Sequence, residues 1–326
     1  MKMKSSWMSA MLVACAFLVF TSCKDDDDGD TSASKGQVQF EITDAPSDDA
    51  NIKSVFVTVT DIKVDGQSVS GFTKQTIDLK AYQKGNTKVL TTSDVAAKSY
   101  SNVTLVIDTE TSDSGTSPGS YVQTQDGAKF KLANSAVSSG KLEITLNKDY
   151  TIQTGAKSTL VMDFDLRKAL TYSTDATTKY RFATNSNLQS AVRIVSKENT
   201  GTIKGTYSEQ AASNADLVIV YAYKKGTFTA TETQAEGEDN IAFKNAVSSA
   251  KVDINLSGNT YVLPFIDAGE YELQFASYGK DALSDRFIFK SLLQSDVMVN
   301  GSVSTSFTVQ AGNELSVSAI IKGIIN

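Results

Sequence analysis

Period-two alternation constrains this chain more than any other feature. Val38, Phe40 and Ile42 are interleaved with Gln37, Gln39 and Glu41, so an extended segment there has one apolar and one polar face. The pattern returns at residues 141–146, where Leu142, Ile144 and Leu146 point the same way. At 159–166, Leu160, Met162, Phe164 and Leu166 share a face and Asp163 and Asp165 take the other. Residues 52–64 are rich in β-branched side chains, with Val55, Val57 and Val59 on one side, and Leu217 to Tyr223 is apolar on both faces, as for a central strand. Turn signals fall between such runs at Asp65-Gly66, Asp267 to Tyr271 and Ala311-Gly312-Asn313. No sustained helical period appears after residue 23; a short helical turn at 93–99, capped by Ser93 or Asp94, is the one helical expectation. Residues 228–240 are acidic, lack a sustained apolar face and read as a long exposed loop. The fold class expected is all-β, with two β-sandwich-like domains in tandem.

The amino-terminal segment is of another kind. Lys2 and Lys4 precede a mostly apolar run from Trp7 to Phe20. The run is shorter than the about 20 residues a membrane-spanning helix needs, and it suits the apolar core of an export signal. Phe20-Thr21-Ser22-Cys23 resembles the lipobox of bacterial lipoproteins. That resemblance implies cleavage before Cys23 and acylation of its thiol and new amino group, enough chains for stable attachment. Lys24, Asp25, Asp26, Asp27 and Asp28 follow. A like-charge run stays solvated and extended, so it is at least a spacer. It also resembles the surface-export signal of Bacteroidetes lipoproteins. The expected organisation is a signal peptide (1–22), a lipidated cysteine with an acidic disordered tether (23–35), an N-terminal β-domain (36–198) and a C-terminal β-sandwich (199–326).

Composition narrows the chemistry. The 326-residue chain carries a net charge of −6, and loss of Lys2 and Lys4 with the signal takes it to −8. An acidic chain without a basic cluster argues against nucleic acid as a partner. Histidine is absent; the only cysteines are Cys15 and Cys23; the only tryptophan is Trp7. The commonest general base is therefore missing. Thiol chemistry and tryptophan platforms are missing from everything after Cys23.

The remaining candidates are carboxylates and tyrosines. Asp163 and Asp165 lie two apart on one strand face. With Asp44, Asp48 or Asp49 they could bind a cation such as calcium, which takes roughly six to eight oxygens. The plainer reading is a solvated strand face, with Asp44 stabilising its turn. A carboxylate-only glycosidase needs just two such groups, but no aromatic-rich cleft is signalled. Serine nucleophiles lack a supporting base. Tyr221 and Tyr223 share a face, and Tyr271 and Tyr278 lie close in sequence to their domain's turn. They read as a ligand platform or, more simply, as core-edge residues with wet hydroxyls.

Two stretches resemble known families. GQVQFEITDAP at 36–46, the strand at 55–62, residues 100–107 and LVMDFDLRKAL at 160–170 are similar to the family catalogued as domain of unknown function 4382. Its members are mostly secreted or lipid-anchored, and its biochemical role is unassigned. The resemblance implies a β-rich fold over roughly 36–196. Residues 262–273, a strand, a D-A-G-E-Y turn and a second strand, resemble transthyretin-like and carboxypeptidase-regulatory-like modules. The function expected is a non-enzymatic binding, adhesion or scaffolding module at the outer membrane, lipid-anchored and facing the cell exterior. It would need no cofactor beyond the lipid on Cys23, and its partners would be the membrane and an unidentified extracellular ligand or surface protein. The alternative is an accessory polysaccharide- or nutrient-binding lipoprotein beside a transporter.

Overall fold

The alternating runs become strands in a computed structural model that describes residues 34–325 except 46, 48, 135–138, 174, 176, 236–237, 256–257 and 285. Cys23, Lys24 and the aspartate run lie outside the described residues. From Ser34 onward the chain forms one compact unit, and its architecture is all-β, two β-domains in tandem.

The first half begins with β1 (Lys35–Ala45) and β2 (Ile52–Val64). Asp65 and Gly66 both take positive φ, 45° and 80°, and turn β2 into the short β3 (Gln67–Ser68). This is the twist-matched hairpin turn that the Asp-Gly pair favours. β4 (Gln75–Asp78) also pairs with β2. β5 (Lys88–Ala96) and β6 (Ser99–Asp108) follow, so residues 93–96 are strand and the helical turn expected there does not form. Pairing of Val95 with Gly36 and of Ser93 with Val38 outweighs the local capping preference of Ser93 and Asp94. β7 (Tyr121–Thr124), β8 (Lys129–Lys131), β9 (Lys141–Thr151) and β10 (Lys157–Asp165) come next. A single helical turn, α1 (Leu166–Ala169), leads to the hairpin of β11 (Leu170–Tyr172) and β12 (Tyr180–Phe182). α2 (Asn185–Ala191) and β13 (Val192–Ser196) end this half.

These strands make two principal layers. One sheet runs β13-β10-β1-β5, and the other runs β8-β7-β2-β6-β9 with β3 and β4 attached to β2. Between them lie the apolar faces read from the sequence: Val38, Phe40 and Ile42 from β1, Val55, Val57 and Val59 from β2, and Leu160, Met162 and Phe164 from β10. β1 and β10 are parallel over nine residue pairs, from Gln37 with Lys157 to Ala45 with Asp165.

After a short 3-10 turn at Lys197–Asn199, the second half comprises β14 (Thr200–Glu209), β15 (Leu217–Lys224), β16 (Ser248–Lys251), β17 (Asn259–Asp267), β18 (Gly269–Lys280), β19 (Phe287–Val299), β20 (Ser302–Val303), β21 (Phe307–Val309) and β22 (Glu314–Ile325). They form one sheet, ordered β16-β15-β18-β19-β22-β14-β17. A bridge between Asp253 and Thr260 brings its two ends together, so the sheet curls into a nearly closed barrel. One glycine is fixed by this curvature. Tyr261 crosses its partner Gly205 to donate its hydroxyl to the Val317 carbonyl, and a Cβ on Gly205 would sit 1.9 Å from that oxygen.

The long loop at 228–240 is anchored at two points. The Glu232 carboxylate accepts from the Tyr223 hydroxyl and from the Asn245 backbone. Asp239 accepts from the Thr184 backbone and hydroxyl and from Asn187. Glu232 and Asp239 are thus acceptors that pin it down, Asp239 to the other half of the molecule.

Candidate functional site

Asp163 and Asp165 project from the outer face of β10, the face that alternation predicts to be solvated. They are buried instead, at 6% and 8% exposure, because the barrel covers them. Each meets a cation. Arg193, on the neighbouring strand β13, gives Asp163 Oδ2 two hydrogen bonds, from Nε at 2.9 Å and Nη2 at 2.6 Å. Asp165 caps α1 by accepting from the Arg167 backbone, and takes the Arg167 guanidinium at 3.1 Å and the Lys168 ammonium at 3.6 Å.

The same cations reach across to the barrel. Arg193 Nη1 donates to the Phe265 carbonyl at 2.6 Å and Nη2 to the Pro264 carbonyl at 3.1 Å. Arg167 donates to the Ala242 carbonyl at 2.6 Å, with its guanidinium over the Tyr221 ring. Lys168 donates to the Ala246 carbonyl at 2.7 Å. Backbone geometry makes two of these acceptors available. Between the pairs Ile203–Leu263 and Gly201–Ile266, Pro264 and Phe265 oppose the single residue Thr202, which is a β-bulge. Proline suits that position because it has no N–H to offer the ladder. Phe265 has φ of 55°, and the two carbonyls there accept from Arg193 rather than serving β14. The Phe265 ring packs on Val161 and Val195 as a small apolar patch beside the ion pairs.

Asp44 completes the carboxylate group and differs from the other two. It is 4% exposed, Oδ2 accepts from Gln83 at 2.9 Å, and Oδ1 is buried without a hydrogen-bond partner. Burial drives its carboxyl well above the usual range; the Gln83 bond opposes this, and the charges of Asp163 and Asp165 add to it. Burial also raises Asp163, against the pull of Arg193. On the cationic side, burial brings Lys168 down to about 8. Two cavities of about 250 Å³ flank Asp163, one reaching Asp44 and Ser249, the other Asp165 and Lys168.

A cation site was one expectation for Asp44, Asp163 and Asp165. Among the described residues, no group of three or more His, Cys, Asp or Glu side chains is placed to hold a metal ion. Asp49 lies apart from them, accepting from the Asn51 backbone and the Tyr180 hydroxyl. The tyrosines are likewise internal. Tyr221 and Tyr278 share a hydroxyl–hydroxyl bond, Tyr223 donates to Glu232, and Tyr271 donates to the Asp267 carbonyl and so closes the D-A-G-E-Y turn. All four are buried, so they are neither an exposed platform nor residues with wet hydroxyls. What reading by alternation missed is the basic partner set. Its signal is numerical: only four arginines occur among 31 basic residues, and Arg167 and Arg193 are two of them.

Residues 35–183 match the family described as Domain of unknown function (DUF4382). The DUF4382 match includes β1, β10 and α1, hence Asp44, Asp163, Asp165, Arg167 and Lys168, and it stops before β13 and Arg193. No curated protein matches the chain. Among solved structures, a leucine-rich repeat protein from Bacteroides thetaiotaomicron is 14% identical, covering 88% of this chain and 26% of its own, with a TM-score of 0.23. The Bacillus anthracis TIE protein is 11% identical, at 88% and 34% coverage and a TM-score of 0.17. GBS52, the minor pilin of Streptococcus agalactiae, is 12% identical, at 88% and 97% coverage and a TM-score of 0.21. The chain thus spans about a quarter and a third of the length of the first two. With scores this low, nothing about this protein follows from the likeness.

Proposed function

We propose that this protein is a non-enzymatic binding or adhesion module, held by a lipid on Cys23 at the outer face of the outer membrane. The observation that carries the reading is the use made of its buried carboxylates. Asp163 and Asp165 are committed to Arg193, Arg167 and Lys168, and those cations bind barrel carbonyls. The groups best placed for acid–base work therefore fuse two β-domains into one body. A rigid body on a charged leash presents surface, which is what adhesion and scaffolding require. The anchoring and the address rest on the lipobox resemblance and the aspartate run.

Metabolic labelling with a fatty acid tests the anchor: label should enter the protein and be lost in Cys23→Ala, and a fully labelled variant would refute the assignment. Replacing Asp25–Asp28 with alanine should reduce cleavage by external protease on intact cells; unchanged cleavage would leave the run a spacer. For the activity, the protein should bind on a glycan and host-matrix array without altering what it binds. Glycan hydrolysis abolished by removing one carboxylate would overturn the non-enzymatic reading.

A further inference from the structure

The two remaining arginines, Arg181 and Arg286, meet in one place. Both line a cavity of about 470 Å³ between the β11–β12 hairpin, residues 238–242 and the start of β19. The Arg286 guanidinium sits over the Tyr172 ring, its carbon 3.5 Å from the ring centroid. Its Nε is buried without a hydrogen-bond partner, and among the described residues no carboxylate lies within ion-pair distance of its guanidinium. Arg181 is exposed and gives only Nε, to the Thr171 hydroxyl at 3.0 Å.

This differs from the cations facing Asp163 and Asp165, which spend their donors on carboxylates and carbonyls. A guanidinium stacked on an aromatic ring keeps its edge donors free and their direction fixed, the arrangement that suits planar two-point recognition of an oxyanion. Among the described residues two acids also line the cavity. Asp239 is occupied by Thr184 and Asn187, and Glu238 is exposed at the margin. Arg167 also lines the cavity but is paired with Asp165, so among the described residues the local charge is close to balanced and an anion would be held by directed bonds rather than by a broad positive field. The cavity's size falls within the range of small-ligand sites, and the Tyr172, Phe287 and Phe289 side chains provide apolar wall.

We propose that this cavity is a binding site for a small organic oxyanion, such as an acidic sugar, gripped by Arg181 and Arg286. The site goes beyond the adhesion reading, which needs no small ligand and would survive its loss. Titrating the purified full-length protein with glucuronate, inorganic sulfate and glucose at low ionic strength, followed by calorimetry, tests it. Glucuronate should bind and glucose should not. Arg181→Gln and Arg286→Gln should each weaken glucuronate binding by ~10-fold or more, the scale of a lost charge-assisted hydrogen bond. Glu238→Gln should tighten it. Arg181 is exposed, so its variant should keep the wild-type urea midpoint and stands as the decisive one if Arg286→Gln folds poorly. No binding of glucuronate, equal binding of glucose, binding of sulfate alone, or indifference to Arg181→Gln would each overturn the assignment.

Discussion

Replacing Arg193 with alanine should weaken the join between the two halves more than any exposed ion pair would. The change removes two hydrogen bonds to Asp163 Oδ2 and the donors to the Pro264 and Phe265 carbonyls. It leaves Asp163, with a side chain 7% exposed, without its cation. Breaking a fully buried pair from one side costs about 3–5 kcal/mol. The Arg193 side chain keeps 20% exposure, and water reaching Asp163 would recover part of that, so about 2–4 kcal/mol is expected. For a unit of this size, roughly 2 °C of melting temperature per kcal/mol gives a drop of about 4–8 °C. Circular dichroism measures both, the free energy by urea denaturation and the temperature by a thermal melt. Adding Asp163→Asn to Arg193→Ala should recover much of the loss, because the uncompensated charge is then gone. Arg193→Lys should fall between, since a single ammonium cannot serve Asp163 and two carbonyls with the guanidinium's geometry. A loss below about 1 kcal/mol, the value of an exposed pair, would show that the halves are not held together in this way.

Two further outcomes follow from particular residues. Asp44→Asn should stabilise the protein at neutral pH by about 1–3 kcal/mol, because the amide fills the same place without the charge that burial penalises. Because the folded carboxyl titrates well above its unfolded value, its full contribution is present below about pH 4 and is lost as pH rises through the folded pKa; the gap between variant and wild type should close on acidification, and a gap unchanged from pH 4 to 8 would contradict the burial argument. Gly205→Ala should cost about 3 kcal/mol or more, since a Cβ there meets backbone oxygen at 1.9 Å, whereas Gly323→Ala, whose nearest contact is a flexible side-chain atom at 3.4 Å, should be tolerated; equal urea midpoints would refute the packing described around Tyr261.

The strands were legible where their information is local. Alternation located β1, β2, β9 and β10 within a few residues, and Asp65-Gly66 announced its hairpin. The helical turn expected at 93–99 gives way to strand at 93–96 because Ser93 and Asp94 state only a local capping preference, while pairing with β1 depends on residues more than fifty positions away. The misjudged face of β10 has a related cause. Alternation reports that Asp163 and Asp165 share a side, but it cannot report that a second domain will cover that side. Such a face looks like a solvated one until the arginines are considered. In a chain with 27 lysines and four arginines, Arg167 and Arg193 sit where one planar donor serves a carboxylate and a carbonyl at once. Arg181 and Arg286 meet only through the fold, from positions 105 residues apart.

The position of β1 has a mechanical consequence. It is the first strand after the amino-terminal segment, yet it lies inside its sheet, bonded to β10 on one side and β5 on the other. A pull applied at Ser34 along the strand loads both ladders in shear, so the nine pairs with β10 resist together rather than opening in turn. β10 in turn runs straight into Arg167 and Lys168, which grip the barrel. Force arriving at Ser34 would pass from β1 across the parallel ladder and into the second domain without crossing a loop.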